Sequence, residues 1–153
     1  MTSTVLCLTV AGEVTATVLP QTADEQWQLV REKIGGPADQ GRYHRSALLH
    51  IHGTGARDQL DVNLSAWALA SAWAGQDLPY WLYGDIVLTG PQYSDGSLAP
   101  LGTVCAGQVR EAAEAVREVL LEWKGRAPAS ESAARSEILA AVRHRLAVQR
   151  PHA

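Results

Sequence analysis

The 153-residue sequence predicts an α+β fold, a small antiparallel-rich sheet covered by helices and followed by a C-terminal helical hairpin. Short segments rich in β-branched residues, separated by turn residues, occupy the first part of the chain. Long segments with apolar residues at helical spacing occupy the last third. These patterns divide the chain into an α+β region of residues 1–91, a loop of residues 92–104 and a helical hairpin of residues 105–149, which can pack on the same core.

The chain begins with a predicted β-hairpin. Residues 4–10 (TVLCLTV) and 13–19 (EVTATVL) flank the short turn Ala11-Gly12, as expected of two antiparallel strands. Pro20 ends the second strand because proline has no N–H to donate to a neighbouring strand.

A short amphipathic helix follows and is expected to pack on this hairpin. Thr22 and Glu25 form the T-x-x-E pattern of a capping box, and Gly35-Gly36-Pro37 ends the helix. Its apolar face comprises Trp27, Val30 and Ile34.

Residues 43–52 (YHRSALLHIH) predict a single middle strand. Strict alternation places His50 and His52 on one face of that strand. Residues 53–58 (GTGARD) are typical of a turn, and residues 59–63 (QLDVN) predict a short strand that pairs back.

The remaining elements are a helix, a strand and the helical hairpin. Asn63 caps an alanine-rich helix that runs to about Ala74 and ends at Gly75. Residues 80–90 (YWLYGDIVLTG) predict a strand. In the tail, Ser130 caps the second helix of the hairpin.

Composition limits the function classes. The net charge of −3 argues against a chain-wide electrostatic grip on nucleic acid. The opening residues lack a basic segment, and no apolar run approaches the roughly 18 residues of a membrane span, so neither a signal peptide nor a membrane segment is expected. Cys7 and Cys105 lie far apart and form no CxxC motif, which indicates free thiols and a cytoplasmic location. No cofactor is predicted.

His50 and His52 are the strongest candidates for chemistry. Their Cβ atoms lie roughly 6–7 Å apart on one side of a strand, which makes them a partial zinc ligand set. Asp58, Asp61 or Cys105 would have to supply a third ligand, and no spacing points to any of them. We interpret the pair first as part of a sheet face that is half-wet or packs against a helix, and a metal-dependent hydrolase using both histidines is the alternative.

Aromatic residues are dense before the last strand. Tyrosine and tryptophan are favoured where proteins recognise partners, although they are also ordinary sheet residues. The sequence therefore predicts a binding face that comprises His50, His52, Tyr80, Trp81 and Tyr83.

The C-terminal helices suggest two further roles. The basic tail predicts, as a third function, a nucleic-acid adaptor that uses Arg143, His144, Arg145, Arg150 and His152, although a helix C-terminus also favours such charges. The apolar stripe of the hairpin predicts a homodimer through Val109, Val116, Leu120, Ile138, Val142 and Leu146.

The segments VAGEVTATVLP, LVREKIGG, DVNLSAWALASAWAG and LYGDIVLTG resemble a family of small proteins of unknown function that is widespread in phages, plasmids and actinobacterial genomes. The resemblance covers about residues 4–91 and rests on Gly12, Gly35, Gly36, Asn63, Ala66, Gly84, Asp85 and Gly90. It implies a mobile-element or accessory setting and assigns no catalytic residues.

Because no assembled catalytic signature is present, we expect a non-enzymatic binding or interaction protein, an accessory or host-modulating factor of mobile-element origin that binds a protein partner or a small ligand.

Overall fold

A five-stranded antiparallel sheet forms the centre of the protein, in a computed structural model that describes residues 3–148. The strand order is β2-β1-β5-β4-β3, and each neighbouring pair is antiparallel. The elements are β1 (Thr4–Leu8), β2 (Val14–Val18), α1 (Ala23–Ile34), β3 (Ala38–His44), β4 (Ala47–His52), α2 (Leu64–Ala74), β5 (Ile86–Thr89), α3 (Thr103–Glu122) and α4 (Glu131–Val148). The predicted α+β class is confirmed.

Helices cover both faces of the sheet. Alternate side chains of β4 point to opposite faces, so Leu49 packs against α2, α3 and α4 while Leu48 packs against α1. The larger core includes Leu6, Leu8, Trp67, Leu69, Ile86, Leu88, Val109 and Leu139. No helix within residues 3–148 is long and apolar enough to cross a membrane.

The predicted helix caps are confirmed. The Thr22 hydroxyl accepts a hydrogen bond from the N–H of Glu25, and Gly35 ends α1 in the left-handed conformation that glycine adopts without strain. Asn63 caps α2 through the N–H of Ala66, and the Ser130 hydroxyl accepts from the N–H of Ala133 at the start of α4.

The middle strand was predicted wrongly. Residues 43–52 are not one strand, because the chain reverses at Arg45-Ser46 and pairs β3 with β4. The sequence of β3 (ADQGRYH) is polar like that of a loop, which is common for a strand at the edge of a sheet. The turn Arg45-Ser46 contains no glycine, asparagine or proline, which are among the residues that most often mark a turn.

Two other boundaries also differ from the prediction, and so, in part, does the packing of α1. Residues 59–63 form no strand and contribute only an isolated bridge between Val62 and Tyr83. The last strand begins at Ile86, which leaves the aromatic segment before it in a loop. α1 contacts mainly β3, β4 and β5, and it also shares a core cluster with Val5 of the first hairpin.

The helical hairpin packs on the core of its own chain. Val109, Val116, Ile138 and Val142 of the predicted dimer surface are all buried against α2, the sheet or one another. That burial corrects the interface role expected of these four residues. Leu120, in contrast, remains 40% exposed.

Candidate functional site

The turn between β3 and β4 borders an open cleft. Its local geometry is fixed by Ser46, whose N–H donates to Nδ1 of His44 over 3.0 Å. A register shift between Gly41 and His44 bends β3 just before the turn. The ring of Tyr43 lies over Gly41, where a Cβ atom would come 2.5 Å from it, so a larger residue here would require the tyrosine ring to move.

The cleft has a volume of about 430 Å³ and a cationic lining. It is lined by Arg42, Tyr43, His44, Arg45, Ala47, Leu48 and Pro91. No acidic residue is among them, and neither Arg42 nor Arg45 forms a salt bridge with a carboxylate of residues 3–148. Both arginine side chains are exposed, so their charges remain available to a ligand.

His44 forms the wall between this cleft and a second one. Burial, and then the charge of Arg45, lower the pKa of His44 below its ordinary value, so the ring is neutral at pH 7. Because Nδ1 accepts from Ser46, the neutral ring carries its proton on Nε2 and presents a donor there.

The second cleft, of about 240 Å³, lies between α2 and α4. The ring of Trp73 lies 5.0 Å from that of His44, and its indole N–H donates to Gln108 over 2.7 Å. Arg143 also lines this cleft but pairs with Asp77 at 2.9 Å. Its charge is therefore already neutralised.

A thiol lies beside His44. Sγ of Cys105 is 3.9 Å from Nδ1, and Cys105 is buried in the first turn of α3. Burial raises the pKa of the Cys105 thiol, so the sulfur remains protonated at neutral pH. The contact therefore packs the histidine and does not create an activated nucleophile.

His50 lies in the core and is not exposed to solvent. It is fully buried against α1, with its ring 5.3 Å from that of Trp27. Nε2 lies 2.9 Å from the hydroxyl oxygen of Thr89, and that hydroxyl donates to the carbonyl of Gly90. Thr89 must then accept from His50, so Nε2 carries the proton and the buried Nδ1 has no partner within the described chain.

His52 is also buried and points to the same side as His50. Its Nδ1 accepts from the N–H of Thr54 over 3.1 Å, which fixes the chain at the end of β4. A Cβ atom on Gly36 would overlap the His52 ring. Within residues 3–148, no three His, Cys, Asp or Glu side chains converge to hold a metal ion, so the third ligand that the alternative zinc site would need is not found there.

The predicted aromatic face is divided between different places. Trp81 packs against Trp67 at 5.0 Å and under the guanidinium of Arg135 at 4.5 Å, which makes it part of the α2–α4 core edge. Tyr83 lies in the bridge with Val62. Tyr80 alone of the five approaches the cationic cleft, through a hydrogen bond of 2.8 Å between its hydroxyl and that of Tyr43.

The arginines of the basic tail are paired where the structure describes them. Arg145 contacts three carboxylates of α3, those of Glu111, Glu114 and Glu118. Arg143 pairs with Asp77, as described above. Both arginines are thus paired within the chain, and the nucleic-acid role of the tail stays a prediction. The predicted contributions of Arg150 and His152 lie outside the described residues.

The sequence interpretation missed Arg42, Tyr43 and Arg45 as site residues. A usable signal was present, because three basic or ionisable residues surround a tyrosine in the short segment RYHR. The predicted strand of residues 43–52 includes all of this segment except Arg42, and neighbouring residues of a strand point to opposite faces. Only the reversal at residues 45–46 brings both arginines to one cleft.

A scan against protein-family models and searches of curated proteins and of solved structures found no match to this chain. The resemblance to phage and plasmid proteins therefore stays a prediction.

Proposed function

We propose that the protein is a non-catalytic binding protein that recognises an anionic group, a phosphate or a carboxylate, in the cleft at the β3–β4 turn. The observation that supports this proposal is the convergence of Arg42, His44 and Arg45 on one cavity whose lining contains no acidic residue. In a chain with a net charge of −3, such a local excess of positive charge stands out.

The side chains suit an anion with an attached organic part. Two guanidinium groups offer several N–H donors in a planar arrangement that matches carboxylate and phosphate oxygens. The apolar part of the lining, Ala47, Leu48 and Pro91, would contact the rest of the ligand. Tyr43 adds a hydroxyl that remains protonated, because burial and then its hydrogen bond to Tyr80 hold the pKa of Tyr43 well above its ordinary value.

The groups around the cleft support binding rather than catalysis. Acyl or phosphoryl transfer commonly uses a side-chain nucleophile, or a base that activates water. The only thiol in contact with His44 among the described residues is buried and protonated, and the lining contributes no carboxylate. The cationic groups can hold an anion but lack a partner that would attack it.

Isothermal titration of the full chain with inorganic phosphate and, separately, with succinate tests the proposal. We expect saturable binding of at least one probe. Binding should weaken at least tenfold in an Arg42→Gln/Arg45→Gln variant, since each charged hydrogen bond contributes about 1.5–3 kcal/mol.

Arg31→Gln is the matched control, because Arg31 is an exposed arginine on α1 that is not among the cleft residues. Its affinity should equal that of the unsubstituted chain. No binding of either probe, or equal weakening by the control, would refute an anion site at this turn.

A further inference from the structure

β2 forms one exposed edge of the sheet, and its sequence VTATV reads the same in both directions. Within residues 3–148, Val14–Val18 pairs with β1 on one side only, and it contains no charged residue and no proline. Charges, prolines and bulges are the features by which edge strands avoid pairing with other chains. This edge has none of them.

The opposite edge of the sheet is protected. β3 contains Asp39 and Arg42, and its pairing with β4 is interrupted by the register shift between Gly41 and His44. The contrast singles out β2 as the edge that can accept another strand.

The hydrogen bonds of the first hairpin show which backbone groups of β2 are free. The N–H of Thr9 donates to the carbonyl of Glu13, and the N–H of Leu19 donates to the carbonyl of Ser3. In an antiparallel ladder the bonding direction alternates from residue to residue. Counting from these two bonds, the N–H and C=O groups of Val14, Ala16 and Val18 point away from β1.

We propose that two copies of this chain pair through β2, antiparallel, around a two-fold axis at Ala16. In that register Val14 faces the partner's Val18, Ala16 faces the partner's Ala16, and all three outward-pointing residues form hydrogen-bonded pairs. Antiparallel geometry then gives roughly six main-chain hydrogen bonds across the axis. The two five-stranded sheets become one continuous sheet.

The side chains agree with the same register on both faces. Val14 packs against the core on the α3 side, and alternation places Val18, which is 60% exposed, on that side too. The partner's Val14 would cover Val18. On the other face Thr15 lies opposite the partner's Thr17, and threonine pairs across antiparallel strands are favourable. A second copy is the occupant proposed, because the palindromic sequence VTATV makes β2 complementary to itself in this register.

A charge placed on the axis tests the proposal. Sedimentation equilibrium of the full chain should give twice the 16.4 kDa chain mass. Ala16→Lys and Ala16→Glu each place like charges opposite each other and should reduce the mass twofold, to that of the monomer. An equimolar mixture of the two variants should restore the dimer, because opposite charges then meet.

The matched control is Gln40→Lys, which adds the same charge at an exposed position of β3 on the other edge. It should remain dimeric. Val18→Lys is a second variant on an exposed side chain, expected to give a monomer with unchanged circular dichroism if Ala16→Lys fails to fold. A monomeric unsubstituted chain, or dimers that persist in folded Ala16→Lys or Val18→Lys, would overturn the proposal.

Discussion

The side-chain nitrogen of Asn63 lies 3.0 Å from the carbonyl oxygen of Leu8, which joins the cap of α2 to the end of β1. The same nitrogen donates to the carbonyl of Gly84 over 3.0 Å, and the side-chain oxygen caps Ala66. Asn63 is fully buried, so one amide holds three segments together. Asn63, Ala66 and Gly84 are among the residues that carry the family resemblance, and their contacts are structural.

Replacing Asn63 with Asp should lower the free energy of unfolding by about 3–5 kcal/mol. The carboxylate keeps a capping oxygen but loses both donors and buries a charge beside two carbonyl oxygens. Urea unfolding measures the change. Ser130→Ala, which removes an exposed helix cap, should cost only about 1 kcal/mol. Equal losses in the two variants would contradict the role assigned to the amide donors.

The protein should lose stability in acid through His50. Burial lowers the pKa of His50 to about 4 in the folded chain, against 6.5 when it is exposed. The unfolded chain therefore binds the proton first, so this contribution is complete above pH 6.5 and is lost as the pH falls towards 4. The loss amounts to about 3 kcal/mol of unfolding free energy.

Urea unfolding at pH 7 and pH 4.5 tests this prediction in a His50→Leu variant. Leucine cannot titrate, so the difference between the two pH values should shrink relative to the unsubstituted chain. His144→Gln is the control, because His144 is exposed on α4. If His50→Leu retains the full acid sensitivity, other groups cause it.

The ion pairs of Arg145, which join α4 to α3, should contribute more to the free energy of unfolding than the pair of Arg143 with Asp77. The Arg145 side chain is only 23% exposed and faces three glutamates, whereas Arg143 and Asp77 are 44% and 66% exposed. We expect Arg145→Gln to cost about 1–2 kcal/mol and Arg143→Gln roughly 0.5 kcal/mol or less. Thermal unfolding of both variants at low and high salt provides the comparison, and equal shifts would contradict it.

Trp81 should contribute more to the stability of the fold than its exposed neighbour Tyr80. Trp81→Ala removes the contacts with Trp67 and Arg135 and should cost about 2–3 kcal/mol. Tyr80→Ala changes a side chain that is 49% exposed and should cost roughly 1 kcal/mol or less. Chemical unfolding of the two variants tests whether Trp81 stabilises the fold more than Tyr80 does. An unchanged free energy of unfolding in Trp81→Ala would contradict this role.

The sequence was sufficient for elements whose signals are local. Thr22, Asn63 and Ser130 are polar residues that cap helices through their own side chains, so their roles are visible without the fold. The β3–β4 turn has no such signal, and the cationic cleft depends on it. Alternation placed His50 and His52 correctly on one side of a strand, but it cannot reveal that α1 covers that side.

The position of β5 has a consequence for how the chain reaches its native state. β5 is central in the sheet yet is the last strand in sequence. The hairpins β1–β2 and β3–β4 each form from residues that are close in sequence. They cannot join into one sheet until Ile86–Thr89 has paired between them. During synthesis both hairpins would leave the ribosome with an unpaired inner edge. We expect a fragment ending at Asp85 to unfold without a cooperative transition, and the closing of this gap to limit the folding rate.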